Sequence, residues 1–314
     1  MEKVIALDYV KHLDYLFGNY DENIKLLEKK CFVKIVVRNG KLKLTGEEEN
    51  LNFAGKAITR LLKLLNENKI LINQQNIEFV LESLKKENLD FNLKDYNTQI
   101  CLNFKKKPIL AKTLTQKQYS NFVDENSITF AIGIAGTGKT YIAVAKAVCA
   151  FKQKAVEKIV LTRPVVEAGE RLGFLPGDFQ SKIDPYLRPL YDVIEEIVGA
   201  ENLNKYLERK KIEILPLAYM RGRTLTNSFI ILDEAQNTTS TQMKMFLTRL
   251  GSGSKMVVTG DVTQIDLKNK EESGLLKAVE ILKNIEDIAI VSFSKKDVVR
   301  HKLVQQIIKA YENK

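Results

Sequence analysis

Eight residues, Gly133 to Thr140, read G-I-A-G-T-G-K-T and match the phosphate-loop pattern G-x-x-x-x-G-K-[ST] at every required position. Such a loop works only between a strand and a helix. Its glycines permit the tight turn, its backbone N–H groups cradle phosphate, and the helix N-terminus adds a positive partial charge. The flanks fit. Ile128 to Ile132 is a short apolar run with the character of a buried strand, and Tyr141 to Phe151 is Ala-rich and helical. Gly133, Ile134, Ala135, Gly136, Thr137, Gly138, Lys139 and Thr140 are therefore the expected nucleotide-binding residues. Lys139 would reach the β- and γ-phosphates, and the Thr140 hydroxyl would ligate Mg²⁺.

The rest of the C-terminal segment agrees with a parallel sheet. Lys158 to Thr162, Ile212 to Leu215, Phe229 to Leu232, Met256 to Thr259 and Ile288 to Val291 are short, apolar and mostly β-branched, with helical stretches between them. With the strand before the phosphate loop, that alternation predicts an α/β fold, a parallel P-loop sheet with helices on both faces. Two strands end in chemistry. Phe229 to Leu232 runs into Asp233-Glu234, and phosphoryl transfer needs two such carboxylates: Asp233 to hold Mg²⁺, Glu234 to orient or deprotonate water. Met256 to Thr259 runs into G-D-V-T-Q, which resembles motif III of superfamily 1 helicases and makes Gln264 the expected γ-phosphate sensor. Upstream, Gln116 stands where many such proteins place a glutamine that reads the edge of adenine.

The first 107 residues read as a separate domain and linker. Asp21 to Lys30 is expected as a helix and Cys31 to Arg38 as a strand. Asn39-Gly40 signals a hairpin leading to Lys41 to Thr45, and helices follow at Gly46 to Asn66 and Asn73 to Lys86. This order resembles a KH-like module, with Gly18-Asn19-Tyr20-Asp21 standing at the loop that clamps a nucleic-acid backbone. The second glycine of that clamp is absent, which leaves a small docking domain as the other reading. Asp90 to Pro108, ending in three lysines, reads as a linker to a domain over 108–314.

Net charge is +10 and the pI about 9.2, which suits a polyanionic partner. Two histidines exclude a His-based metal cluster, and three cysteines without C-x-x-C spacing argue against disulfides or a zinc site and favour a reducing cytoplasm. No stretch approaches the roughly 18 apolar residues of a membrane span, and no signal-peptide pattern opens the chain. Arginines concentrate after the phosphate loop. Only about 50 residues follow Gln264, too few for a second RecA-like lobe that could supply an arginine finger. A neighbouring subunit is the economical source, which implies a head-to-tail homo-oligomer such as a hexameric ring. Arg249 and Arg300 are the leading candidates, with Arg221 and Arg223 behind them.

Taken together, these residues resemble the PhoH-like proteins over about 200 residues, Thr113 to Tyr311. The resemblance rests on Thr162-Arg163-Pro164 with Glu167-Ala168-Gly169-Glu170, on Leu172 to Asp178, on Pro185 to Tyr191, and on Arg221 to Leu225. It continues through D-E-A-Q-N-T-T at Asp233 to Thr239, Gln242 to Gly251, and Asp297 to His301. It implies a single RecA-like core, ATP as the nucleotide, with Mg²⁺, and an association with RNA metabolism, including rRNA maturation alongside an endoribonuclease. The expected function is an ATPase acting on or with RNA. The alternative is a nucleotide-switched adaptor for a protein partner such as that nuclease. Ile134, Leu114 and Lys268 replace family prolines, which touches the rigidity of three turns and removes no catalytic group.

Overall fold

The computed structural model describes residues 1–7, 14–38, 40–68, 72, 74–85, 98–165, 179–267, 273–299, 303–304, 307 and 310–311. The chain forms two compact units: Met1–Asn97 with Lys112–Leu114, and Thr98–Ala111 with Thr115–Lys314.

In the first unit the order is β1 (Glu2–Ala6), α1 (Asp14–Phe17), α2 (Glu22–Cys31), β2 (Lys34–Arg38), β3 (Lys41–Thr45), α3 (Glu48–Asn68) and α4 (Gln74–Lys85). The strands form an antiparallel sheet in the order β1-β3-β2. One face is apolar because β3 alternates: Leu42 and Leu44 are buried while Lys41, Lys43 and Thr45 are exposed. Leu27 of α2 and Ile58, Leu61 and Leu64 of α3 pack on it in one cluster. The expected hairpin is present around Gly40 (φ 67), while Asn39 lies outside the described residues. Two elements escape a sequence reading. β1 is a five-residue strand whose partner β3 lies some 40 residues away, and α1 is a single turn. One boundary also moves. Helix α2 runs through Cys31 and ends with Phe32 in the left-handed region, so the strand starts at Lys34.

The segment read as a linker carries structure. β4 (Gln99–Leu102) and β5 (Pro108–Leu110) form an antiparallel hairpin in the second unit, with Ile100, Cys101 and Ile109 in the same apolar cluster as Ile142 and Ala145. The charged turn between the strands, Asn103 to Lys107, masks this in the sequence.

The second unit continues α5 (Leu114–Glu125), β6 (Ile128–Gly133), α6 (Lys139–Lys152), β7 (Lys158–Arg163), α7 (Phe179–Val198), α8 (Ala200–Glu208), β8 (Ile212–Pro216), β9 (Ser228–Leu232), α9 (Ser240–Leu247), β10 (Lys255–Gly260), α10 (Gly274–Leu282) and β11 (Ile288–Phe293). All six strands from β6 to β11 pair in parallel, in the order β11-β6-β10-β9-β7-β8. Both faces of the central strands are buried, which is why β6, β9 and β10 read as nearly continuous apolar runs. Ala131, Ile159, Leu161, Ile231 and Val257 face α6 and α7. Phe130, Val160, Ile230, Leu232 and Val258 face α9 and α10. This is the α/β RecA-like P-loop sheet expected from the sequence. Its strand order puts β10 between the phosphate-loop strand β6 and the carboxylate strand β9. Among the described residues, no helix is long and apolar enough to cross a membrane.

Candidate nucleotide-binding site

The loop from Gly133 to Thr140 leaves β6 and enters α6 at the C-terminal edge of the sheet, where ligands of open α/β sheets bind. Its glycines are forced. Gly133 sits at φ 150, and a Cβ there would lie 2.5 Å from the Phe293 carbonyl oxygen of β11. Gly138, the residue before α6, sits at φ 83. Lys139 lies back along the loop, its Nζ donating to the carbonyls of Gly133 (2.7 Å) and Ile134 (2.9 Å). Two residues of α5 brace the loop from beneath. Gln116 Nε2 donates to the Thr137 carbonyl at 2.9 Å, and Tyr119 O–H donates to the Lys139 carbonyl at 3.3 Å. Burial, with the Asp233 carboxylate adding to it, pushes the Tyr119 phenol well above its ordinary pKa, so it stays a donor. From the other side, Val299 N–H donates to the Gly136 carbonyl at 2.9 Å, tying the chain beyond β11 to the loop.

Asp233 follows β9 and is buried. Its Oδ1 accepts from the Thr140 hydroxyl and from the Thr259 hydroxyl, each at 2.7 Å. Thr259 belongs to the intervening strand β10, so three elements converge on one carboxylate oxygen. The next residue, Glu234, takes left-handed backbone angles (φ 53), which carries the chain off the strand. Its carboxylate is held on both oxygens: Arg163 at the end of β7 stands 3.3 Å from Oε1, and Gln236 Nε2 donates to Oε2 at 2.6 Å.

Gln236 is the hub of the adjacent loop. Its Nε2 also donates to the Gln264 carbonyl at 3.0 Å, and its Oε1 accepts from Asp261 N–H at 2.9 Å. Asp261 in turn accepts from Thr263 N–H at 2.9 Å and from its hydroxyl at 2.6 Å, shaping the turn that carries Gln264. The Gln264 side chain is exposed while its backbone is fixed.

The structure therefore brings together Lys139, Thr140, Asp233, Glu234 and the Gln264 turn. It places Gln116 beneath the loop, almost fully buried, with its amide committed to Thr137. Arg249 lies elsewhere. It follows α9 beside the N-terminal edge of the sheet, donating to the carbonyls of Met245 (2.9 Å) and Arg223 (2.7 Å) and to the Thr248 hydroxyl (3.1 Å). Its guanidinium thus closes α9 within its own chain. Arg300 falls outside the described residues. Arg163, Gln236 and Thr259 border the candidate site without a role in the sequence analysis, although Arg163 and Gln236 stand in its family motifs. The available signal was positional, since each stands at or just beyond the C-terminal end of a sheet strand.

The donor set fits a hard cation. A hydroxyl and a carboxylate meet at the foot of the phosphate loop, and Mg²⁺ takes one or two such protein oxygens together with nucleotide phosphates and water. Two buried oxygens at the C-terminal end of the sheet, Thr162 Oγ1 on β7 and Asp261 Oδ2 just beyond β10, have no hydrogen-bond partner among the described residues. Those residues hold no cluster of three or more His, Cys, Asp or Glu that would bind a metal by itself. A nucleotide-borne ion suits this arrangement.

A RecA-like sheet with an intact phosphate loop and a strand-end Asp-Glu pair beside it defines a P-loop nucleoside triphosphatase core. Within that class, residues 108–312 match the family described as PhoH-like protein, and the chain belongs to it. It is 49% identical over 297 residues to a PhoH-like protein of Bacillus subtilis, covering 95% of this chain and 93% of that one. A PhoH-like protein of Mycobacterium bovis is 48% identical over 299 residues, covering 94% of this chain and 84% of the other. Protein PhoH of Escherichia coli is 49% identical over 206 residues, 65% of this chain and 58% of that one.

Proposed function

We propose that this chain is an ATPase acting on or with RNA. The observation that carries the hydrolytic half is the pairing of Thr140 with Asp233 at the phosphate loop, with Glu234 next in the chain. A bound Mg²⁺ held by these two oxygens would offset phosphate charge. Lys139 moves from the loop carbonyls onto the β- and γ-phosphates, Glu234 orients or deprotonates the attacking water, and Gln264 senses the γ-phosphate. Gln116 serves first by fixing the loop. A neighbouring subunit supplies an arginine in a ring, such as a hexamer, in the cytoplasm. Arg300 is the candidate retained, because Arg249 is engaged within its own chain.

The RNA half is supported by the first unit. Its order β-α-α-β-β-α, followed by the further helix α4, its antiparallel sheet and the position of Gly18–Asp21 between α1 and α2 suit a KH-like module. Tyr20 in that loop is 94% exposed, as a stacking residue must be. Asp21 beside it works against a phosphate clamp, so base stacking is the contact assigned.

One observation favours the second reading, a nucleotide-switched adaptor for a partner such as an endoribonuclease. The Glu234 carboxylate is occupied by Arg163 and Gln236, which suits a protein that holds ATP and hydrolyses it only when this contact opens. The steady-state ATP hydrolysis rate with and without single-stranded RNA, with Lys139→Ala as the blank, decides between them. Strong stimulation by RNA supports the first reading. A rate indifferent to RNA discards it in favour of the switch.

A further inference from the structure

At the edge of the sheet opposite the phosphate loop lies a basic cavity of about 530 Å³. Its lining includes Lys158, Arg209, Lys210, Lys211 and Arg223, with Glu157 the one carboxylate. Lys158 and Ser228 are the first residues of β7 and β9, and Lys211 directly precedes β8. The five residues of β9 separate this cavity from Asp233, a distance of roughly 16 Å at about 3.3 Å per residue. A group bound here is therefore not the nucleotide of the phosphate loop.

The charges divide into two sets. Lys158 and Arg223 converge on Glu213, at 2.7 and 2.8 Å, and are neutralised in part. Arg209, Lys210 and Lys211 are exposed, and their side chains have no acidic partner among the described residues. The chain turns at Lys210 (φ 52), so all three sit in the short turn between α8 and β8. One cation at the end of α8 answers the helix dipole. Three in succession, across a cavity from two more and beside the hydroxyl-bearing Thr224 and Thr226, exceed that need. Fixed cations with interspersed hydroxyl and backbone donors are the usual contacts to phosphate oxygens.

We infer that this cavity, on the ATPase unit, binds the phosphodiester backbone of single-stranded RNA at a site distinct from that of the nucleotide. The inference rests on the RNA-associated reading above. It requires a sequence-independent, salt-sensitive contact, because phosphates are engaged and bases are not.

The test uses the full chain and a labelled oligo(U) of about 20 nucleotides, longer than the site of a typical single-strand module. Fluorescence anisotropy is followed across a salt series. The variant Arg209→Gln/Lys211→Gln is compared with Lys277→Gln/Lys283→Gln, which removes the same charge from the exposed surface of α10 and the residue after it. Affinity should fall about tenfold in the first, and the slope of log K against log salt should shrink by about 1.4, two phosphate contacts at about 0.7 each. The second should stay near wild type. Unchanged melting temperature and binding of a fluorescent ATP analogue establish that the variants are folded. Equal loss in both variants, or no loss in the first, overturns the inference. So does tripolyphosphate binding that disappears in the first variant while oligo(U) binding persists, because the ligand is then free polyphosphate. Absence of RNA binding by the wild-type chain removes the RNA reading as a whole. Wild-type binding that the first variant leaves intact removes this cavity alone.

Discussion

The Thr140 hydroxyl donates to Asp233 Oδ1 at 2.7 Å, across 93 residues of sequence. The same oxygen accepts from Thr259 at 2.7 Å, so the orientation of the carboxylate is set by α6 and β10 together. Thr259 would not touch the cation, yet it fixes the carboxylate proposed to hold it. Outer-shell partners of this kind are worth about 10–100-fold in metal affinity or activity. Thr259→Val should therefore raise the Mg²⁺ concentration needed for half-maximal hydrolysis by about that factor, and Asp233→Asn should raise it further. A Mg²⁺ titration of the hydrolysis rate reads both. An unchanged midpoint in Thr259→Val would remove the positioning role.

Glu234→Gln keeps the size of the side chain and its contact with Gln236 but removes the basic carboxylate. Hydrolysis should fall by about 10²–10⁴, the usual worth of a general base, while ATP affinity is retained. Single-turnover hydrolysis beside equilibrium binding separates the two effects. A normal rate in this variant would falsify the assignment of Glu234 as base.

Gln116→Leu leaves the Thr137 carbonyl without the amide that supports the loop. An unsatisfied buried group costs about 1–3 kcal/mol, so nucleotide affinity should weaken about tenfold. Because the amide holds the loop, ATP and GTP should weaken alike in calorimetric titrations. Loss confined to ATP would show instead that Gln116 reads the base.

Glu213 links pH to stability. Burial alone would raise its carboxyl, but hydrogen bonds from Lys158 and Arg223 outweigh burial and hold it below the ordinary value of 4.5. With the folded pKa depressed, the contribution is present above the unfolded pKa and is lost as pH falls through the folded one. Glu213→Gln should destabilise the protein near neutrality and flatten the acid side of its melting-temperature profile below about pH 4.5. A variant profile parallel to wild type at acid pH counts against the linkage.

Much of the nucleotide site was legible in one dimension because its parts are local. A phosphate loop must join a strand to a helix, its glycines answer to backbone angles such as φ 83 at Gly138, and a buried parallel strand needs an unbroken apolar run. From these the sequence by itself determined the α/β sheet, the glycine-bearing loop between β6 and α6, and the place of Asp233 and Glu234 at the end of β9. The β4–β5 hairpin stayed hidden because its charged turn has the composition of a linker, and β1 because five residues carry too little periodicity. Partners across the sheet were also out of reach, since no local rule relates Thr259 to Asp233, Arg163 to Glu234, or Gln116 to Thr137. Only the tertiary structure decided these, through the strand order that inserts β10 between β6 and β9 and brings β7 beside β9. The same order gathered Lys158 at the beginning of β7, Arg209 to Lys211 just ahead of β8, and Arg223 ahead of β9 into one cavity. Side-chain chemistry is written residue by residue, but its partners are chosen by which strands lie next to one another.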